Sequence, residues 1–182
     1  MNTIFIDGLS FALPLFIMAI GGIYSERSGI TNLALEGLQG VGAFVGALSA
    51  VFMMQWLGTS SQIPFYGALL FAMLGGMVYA MLHALLCIKF KANQVISGVV
   101  INILGMALTA FLTKAINKSV FGATSDKFVL GVSERITIPV LSEIPVIGGI
   151  FQQIYPFEFI IIVVAVIAWY VLYKTRFGLH LR

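Results

Sequence analysis

The feature that most limits what this chain can become is its series of long apolar runs, each ended by charges or turn-forming residues. A helix needs roughly 20 apolar residues to cross about 30 Å of hydrocarbon, and five runs approach that length, at about 8–24, 33–57, 63–90, 93–116 and 157–173. Lipid offers no water to unpaired backbone groups, so each run has to become a helix that bonds its own backbone. The first run contains Pro14, which a membrane helix tolerates where neighbours satisfy the carbonyl its ring leaves free. The expectation is an all-α polytopic transmembrane helical bundle of about five spans, a single domain over residues 1–182.

Composition agrees. Hydrophobic residues make up 60% of the chain and charged residues 9%, with a mean hydropathy of +1.04, against about 45–50% apolar and about 25% charged in soluble domains. A water-facing surface cannot be built from that. The net charge is +3, but the basic residues are scattered among apolar runs and form no stripe with interleaved aromatics, which argues against nucleic acid as a partner. Cys87 is the single cysteine and lies in an apolar run near His83; with no second Cys for a disulfide or zinc site, both read as packing residues. The first run begins near the N-terminus without a basic flank, Asp7 being the only charge before Glu26. It reads as a retained span and not as a signal peptide.

Orientation follows from Lys and Arg, which gather on the cytoplasmic side of short loops. Arg27 follows the first span, Lys89 and Lys91 the third, and Lys174, Arg176 and Arg182 the fifth. These six share one side if each run crosses once. The N-terminal stretch and the GTSSQIP connection carry neither residue type. Lys114, Lys118, Lys127 and Arg135 belong to the long connection 117–156 or its border, and long loops cross largely regardless of charge. The N-terminus is therefore expected outside and the C-terminus in the cytoplasm. Within the long connection, PVLSEIPVIGGIFQQIYP is apolar, too short to span and fenced by Pro139, Pro145 and Pro156. It suits one short interfacial or re-entrant helix, serving either as a docking ledge for an external partner or as a cover for the bundle.

Two spans carry polar faces. At 100° per residue, Asn32, Glu36, Gln39, Gly40, Ala43, Gly46, Ala47 and Ala50 fall in one arc of the second span, opposite Leu38, Val41, Phe44, Val45, Leu48 and Phe52. In the fourth, Gln94, Ser97, Gly98, Asn102, Gly105 and Thr109 share an arc into which Ile101 and Leu108 intrude. Small and amide residues are ordinary glue between membrane helices. They equally suit the lining of a polar solute path, where a carboxylate such as Glu36 is tolerated because it faces water or a partner. No GxxxxGK[ST] loop, GxSxG elbow or HExxH pair is present, so neither ATP binding by that loop nor those hydrolytic chemistries are expected. His83 has no serine or carboxylate partner nearby in sequence, and the chain reads as no enzyme.

Three strings carry a family resemblance. GGIYSERSGITNLALEGLQGVGAFVGA resembles the first cytoplasmic turn and second helix of permeases in the branched-chain amino acid, ribose and nucleoside branch of the ABC importers. KANQVISGVVINILGMALTAFL is similar to a segment of its nucleoside and simple-sugar members, and KTRFGLHLR to the start of the loop through which such permeases engage their ATPase. The resemblance implies a permease subunit that pairs with a second permease, is driven by a cytoplasmic ATPase and is fed by an extracytoplasmic substrate-binding lipoprotein. No cofactor is implied for this chain; ATP is used by the partner. Glu26, Arg27, Ser28 and Gly29 match the first turn, Asn32 and Glu36 the start of the second helix, and Asn93, Gln94 and Ser97 the fourth-span motif. Thr175, Arg176, Phe177 and Gly178 match the opening of the ATPase-coupling loop. Family members continue into further membrane helices, so the chain is expected to be an N-terminal portion or a truncated frame.

Together these readings make Glu36, Gln39, Asn93, Gln94, Ser97 and Asn102 the candidate substrate path of an alternating-access importer. Nucleosides are the first expectation for substrate, then simple sugars, then branched-chain amino acids. Specificity is expected to rest mainly with the binding protein. The alternatives are an ATP-independent channel or carrier for small polar solutes, and a purely structural membrane subunit.

Overall fold

The computed structural model describes residues 2–58, 61–131, 134–142 and 154–181. Seven α-helices appear among them: α1 (Asn2–Arg27), α2 (Leu35–Leu57), α3 (Ile63–Ala84), α4 (Gln94–Val120), α5 (Pro139–Ser142), α6 (Pro156–Lys174) and α7 (Arg176–His180). A π-helical turn, Leu85–Lys89, extends α3. No strand occurs among the described residues; an isolated antiparallel bridge joins Ile136 and Ile154. Leu35–Leu57, Ile63–Lys89, Gln94–Val120 and Pro156–Lys174 are each long and apolar enough to cross a membrane. They coincide with the second to fifth apolar runs. The first run lies inside α1, whose 26 residues include Pro14 and extend about 39 Å at 1.5 Å per residue. The protein is a multi-pass helical membrane protein.

Two boundaries fall later than the charges alone suggest. α1 continues through Glu26 to Arg27 and stops before Gly29, at φ +81°. α4 continues past Ile116 to Val120, and Gly122 at φ +63° lets the Ala123 N–H return to the Asn117 carbonyl at 3.0 Å. Lys114 and Lys118 do not end the helix, because long cationic side chains can reach polar surroundings from its last turns; a residue free to turn left-handed does. Of the apolar stretch in the long connection, α5 and residues 154–156 are described. Residues 143–153, on which the expected interfacial or re-entrant helix mostly falls, lie outside the described residues.

The chain divides into two compact units, Ile30–Val132, and Met1–Gly29 with Ser133–Arg182. In the first, α2 packs against both α3 and α4. The α2–α3 approach is set by missing side chains: a Cβ on Gly42 would lie 2.8 Å from the Ala72 carbonyl oxygen, and one on Gly46 would lie 2.7 Å from that of Ala68. Such closeness maximises dispersion contacts, which hold membrane helices together where lipid is as apolar as leucine. Ala34, Val41, Tyr79 and Ile101 form the buried centre.

In the second unit α1 pairs with α6, and α7 folds back on the end of α6. Ser10 Oγ donates to Glu158 Oε1 at 2.8 Å, the Tyr24 hydroxyl to the Ala168 carbonyl, and an Arg27 guanidinium N–H to the Tyr173 hydroxyl at 3.0 Å. The partners advance together along both helices, so α1 and α6 run parallel. Parallel running puts Arg27 and Lys174 at the same end of this unit.

Candidate functional site

The α2–α4 contact brings Glu36 and Asn102 together. Gly37 is buried, and a Cβ there would sit 2.8 Å from Asn102 Cα and 2.9 Å from Asn102 Oδ1. With only hydrogen at that position, the Gly37 N–H donates directly to Asn102 Oδ1. The amide is thereby oriented, and its Nδ2 donates to Glu36 Oε2 at 3.3 Å. Ile101, which intrudes on the polar arc of α4, is buried, and its carbonyl accepts from the Tyr79 hydroxyl at 2.8 Å. The apolar neighbour thus anchors the helix on α3 while Asn102 faces α2.

Glu36, Gln39 and Ala43 are exposed on α2, and nothing lies within 4 Å of a Cβ at Gly40. The far part of the same sequence arc, Gly46 and Ala50, is buried. The arc therefore divides: its first turns are an open polar strip, and its later ones are a helix interface. An Asn side chain has two amide hydrogens, and a carboxylate has about four acceptor sites. The pair at 3.3 Å uses one of each. The remaining hydrogen-bonding capacity suits hydroxyls, amides or ring nitrogens of a small polar solute.

Asn93, Gln94 and Ser97 are occupied in building the start of α4. Asn93 Oδ1 caps the helix, accepting from the N–H groups of Val95 and Ile96 at 3.0 and 3.2 Å. Gln94 Oε1 accepts from the Thr31 N–H at 2.8 Å, tying α4 to the segment before α2. Ser97 Oγ lies 3.0 Å from His83 Nδ1, both side chains being buried, and Cys87 Sγ is 3.7 Å from His83 Nε2. The His83 partner was invisible in sequence because it lies on another helix. Asn117 is a further buried polar residue, outside the candidates that helical periodicity marks. It is 3% exposed and donates through Nδ2 to the carbonyls of Ser125 and Lys127 at 2.8 and 3.0 Å. An amide in the last turn before a glycine was the available signal for such a loop anchor.

At the C-terminal corner Thr175 Oγ1 donates to the Val171 carbonyl at 2.5 Å and accepts from the Gly178 N–H at 3.5 Å. Gly178 is buried so closely on α6 that a Cβ would lie 2.7 Å from the Val171 carbonyl oxygen and overlap the Leu172 carbonyl. Arg176 and Phe177 are exposed. Two residues of the expected coupling motif form the bend, and two are displayed by it. Among the described residues no group of three or more His, Cys, Asp or Glu could hold a metal.

The described residues thus define a multi-pass helical membrane protein, one unit of which carries an exposed carboxylate–amide strip. Residues 4–182 match the family described as branched-chain amino acid transport system / permease component, and the chain belongs to that family. It is 39% identical over 175 residues to the guanosine ABC transporter permease protein NupQ of Bacillus subtilis (strain 168), covering 96% of this chain and 53% of that protein. Identity is also 39%, over 179 residues, to the nucleoside ABC transporter permease protein NupC of Lactococcus lactis subsp. cremoris (strain MG1363), with 96% and 53% covered. A putative glucose ABC transporter permease protein, TsgC13 of Haloferax volcanii, is 31% identical over 176 residues, with 93% and 47% covered. The chain spans about half the length of these curated relatives. No solved structure matches it.

Proposed function

We propose that the chain acts as a membrane permease subunit of an ATP-driven ABC importer for nucleosides, with simple sugars as the next substrate class. The observation that carries this reading is the 39% identity to two nucleoside ABC transporter permeases over nearly the whole chain. The ATP-independent channel or carrier is not favoured, since these relatives belong to ATP-driven systems. The partners are a cytoplasmic ABC ATPase, a second permease subunit and an extracytoplasmic substrate-binding lipoprotein. The N-terminus lies outside and the C-terminus in the cytoplasm, as the positions of Arg27, Lys89, Lys91, Lys174 and Arg176 support.

Glu36, Gln39 and Asn102 face the solute path, while Asn93, Gln94 and Ser97 hold the start of α4 so that Asn102 keeps its register. Glu36 accepts from a sugar hydroxyl or base N–H, and the second Asn102 amide hydrogen donates to a solute oxygen. Hydrogen bonds of this kind exchange readily with water, as a path that must release its cargo requires. α7 presents Arg176 and Phe177 to the ATPase, and Thr175 with Gly178 makes the bend that lets a push on α7 reach α6. Alternating access follows when that push rocks the helices against the partner permease.

The test is uptake of labelled guanosine by cells expressing a full-length permease that contains this sequence, together with its partner permease, ATPase and binding protein. A Glu36→Ala, Asn102→Ala double variant is expected to lower uptake about tenfold or more, from two polar contacts of about 1 kcal/mol or more each, with the amount in the membrane unchanged. Wild-type uptake by the double variant would remove these residues from the path. Undiminished uptake in cells without the ATPase would remove the importer reading.

A further inference from the structure

We propose that the cleft between α1 and α6 is a binding site for an anionic glycerophospholipid, with an acyl chain along the cleft and the phosphate held by Arg27 and Lys174. The cleft encloses about 270 Å³ and is lined by apolar groups, among them Phe16, Ile20, Ala165, Ala168, Trp169 and Leu172. It continues into an equally apolar cleft of about 280 Å³ that shares Phe16, Ala165 and Trp169. Together they make an apolar track along a parallel helix pair, the shape an acyl chain fills.

Among the described residues only one end of the track carries cations. The Arg27 guanidinium lies 5.0 Å above the Tyr173 ring, the Tyr173 and Trp169 rings are 6.2 Å apart, and Lys174 Nζ is 6.0 Å from the Trp169 ring. Tryptophan and tyrosine settle at the headgroup level of a membrane, so this ladder of two cations and two rings marks where the track meets the headgroups. Arg27 bonds a neutral phenol there, using one of five guanidinium hydrogens. No carboxylate is paired with Arg27 or Lys174 among the described residues. A phosphodiester supplies the missing negative charge, and it accepts from a guanidinium and an ammonium together. The other end of the helix pair, where Ser10 meets Glu158, offers an anion nothing.

The test uses Trp169 as its own reporter. The full chain carrying Trp56→Phe keeps Trp169 as its one tryptophan of the original two. It is reconstituted in phosphatidylcholine vesicles containing a small fraction of either phosphatidylglycerol or phosphatidylcholine with brominated acyl chains, and quenching is normalised to each variant's unquenched emission. Brominated phosphatidylglycerol is expected to quench more strongly. A basic residue at the surface contributes about fivefold in preference for anionic lipid, so Arg27→Gln and Lys174→Gln should each lower that preference about fivefold. Lys118→Gln, at the end of α4, should leave it unchanged. If loss of the Tyr173 hydrogen bond prevents Arg27→Gln from folding, Lys174→Gln decides, since its described contact is the Trp169 ring. Equal quenching by the two lipids, or a Lys174→Gln variant with the full preference, would overturn the proposal. So would absence of quenching by either lipid, which would place a protein helix over the cleft.

Discussion

Replacing Gly37 by alanine asks whether α2 and α4 are held at their observed separation by the absence of one methyl group. The new Cβ would lie 2.8 Å from Asn102 Cα, 2.9 Å from Asn102 Oδ1 and 3.1 Å from the Ile101 carbonyl oxygen. Non-bonded carbon atoms are comfortable at about 3.5–4.0 Å, and two of these three neighbours are backbone that cannot rotate away. The helices must therefore part by several tenths of an ångström, an overpacking cost of about 1–3 kcal/mol. Parting also lengthens the Gly37 to Asn102 bond and the Asn102 to Glu36 bond, the second already 3.3 Å; polar contacts between membrane helices average about 0.6 kcal/mol each. Set against the helix-propensity gain of up to about 1 kcal/mol that any glycine-to-alanine change brings inside a helix, the sum is about 1–4 kcal/mol of lost stability. Gly40→Ala, on the same helix but with nothing within 4 Å of the new methyl, should be neutral or gain up to about 1 kcal/mol from helix propensity. Unfolding of the purified chain by sodium dodecyl sulfate in mixed micelles, followed by helicity, measures both. If the two variants agree within about 0.5 kcal/mol, close backbone approach does not position Asn102.

Two more expectations concern the other unit. Glu158 is 3% exposed and its Oε2 has no partner among the described residues, so Glu158→Gln, which keeps an oxygen for Ser10, should raise the unfolding free energy by about 1–3 kcal/mol by removing a buried charge; a loss of stability in the same titration would mean that the carboxylate has a partner Gln cannot serve. Gly178→Ala should undock α7 from α6, because the methyl has no room beside the Leu172 carbonyl, and trypsin cleavage after Arg176 should quicken about tenfold for an overpacking cost near 1.4 kcal/mol; an unchanged cleavage rate would show that α7 is not held by that contact.

The helices themselves were legible because lipid imposes one rule on every span: about 20 apolar residues, with the backbone bonded internally. That rule found all the long runs without knowledge of what any of them touches. It missed the ends of α1 and α4, where the stopping signals are Gly29 and Gly122 and the nearby charges are carried inside the helix. The family was also within reach of the sequence, since strings such as GGIYSERSGITNLALEG and ANQVISG are local and need no view of the fold.

The candidate site was half legible. Periodicity placed Glu36 and Gln39 on one face of α2 and Asn102 on one face of α4, because 100° per residue follows from backbone geometry alone. Whether such a face is open or packed depends on which neighbours approach it, and one strand of sequence does not contain that distance. Only the tertiary structure divided the α2 arc into an exposed strip and a buried glycine interface, gave Ser97 to His83 and Gln94 to the Thr31 backbone, and set Asn102 beside Glu36. The physical reason is that a span is selected by its transfer into lipid, a sum over its own residues, whereas helix contacts arise from shape complementarity between residues far apart in the chain.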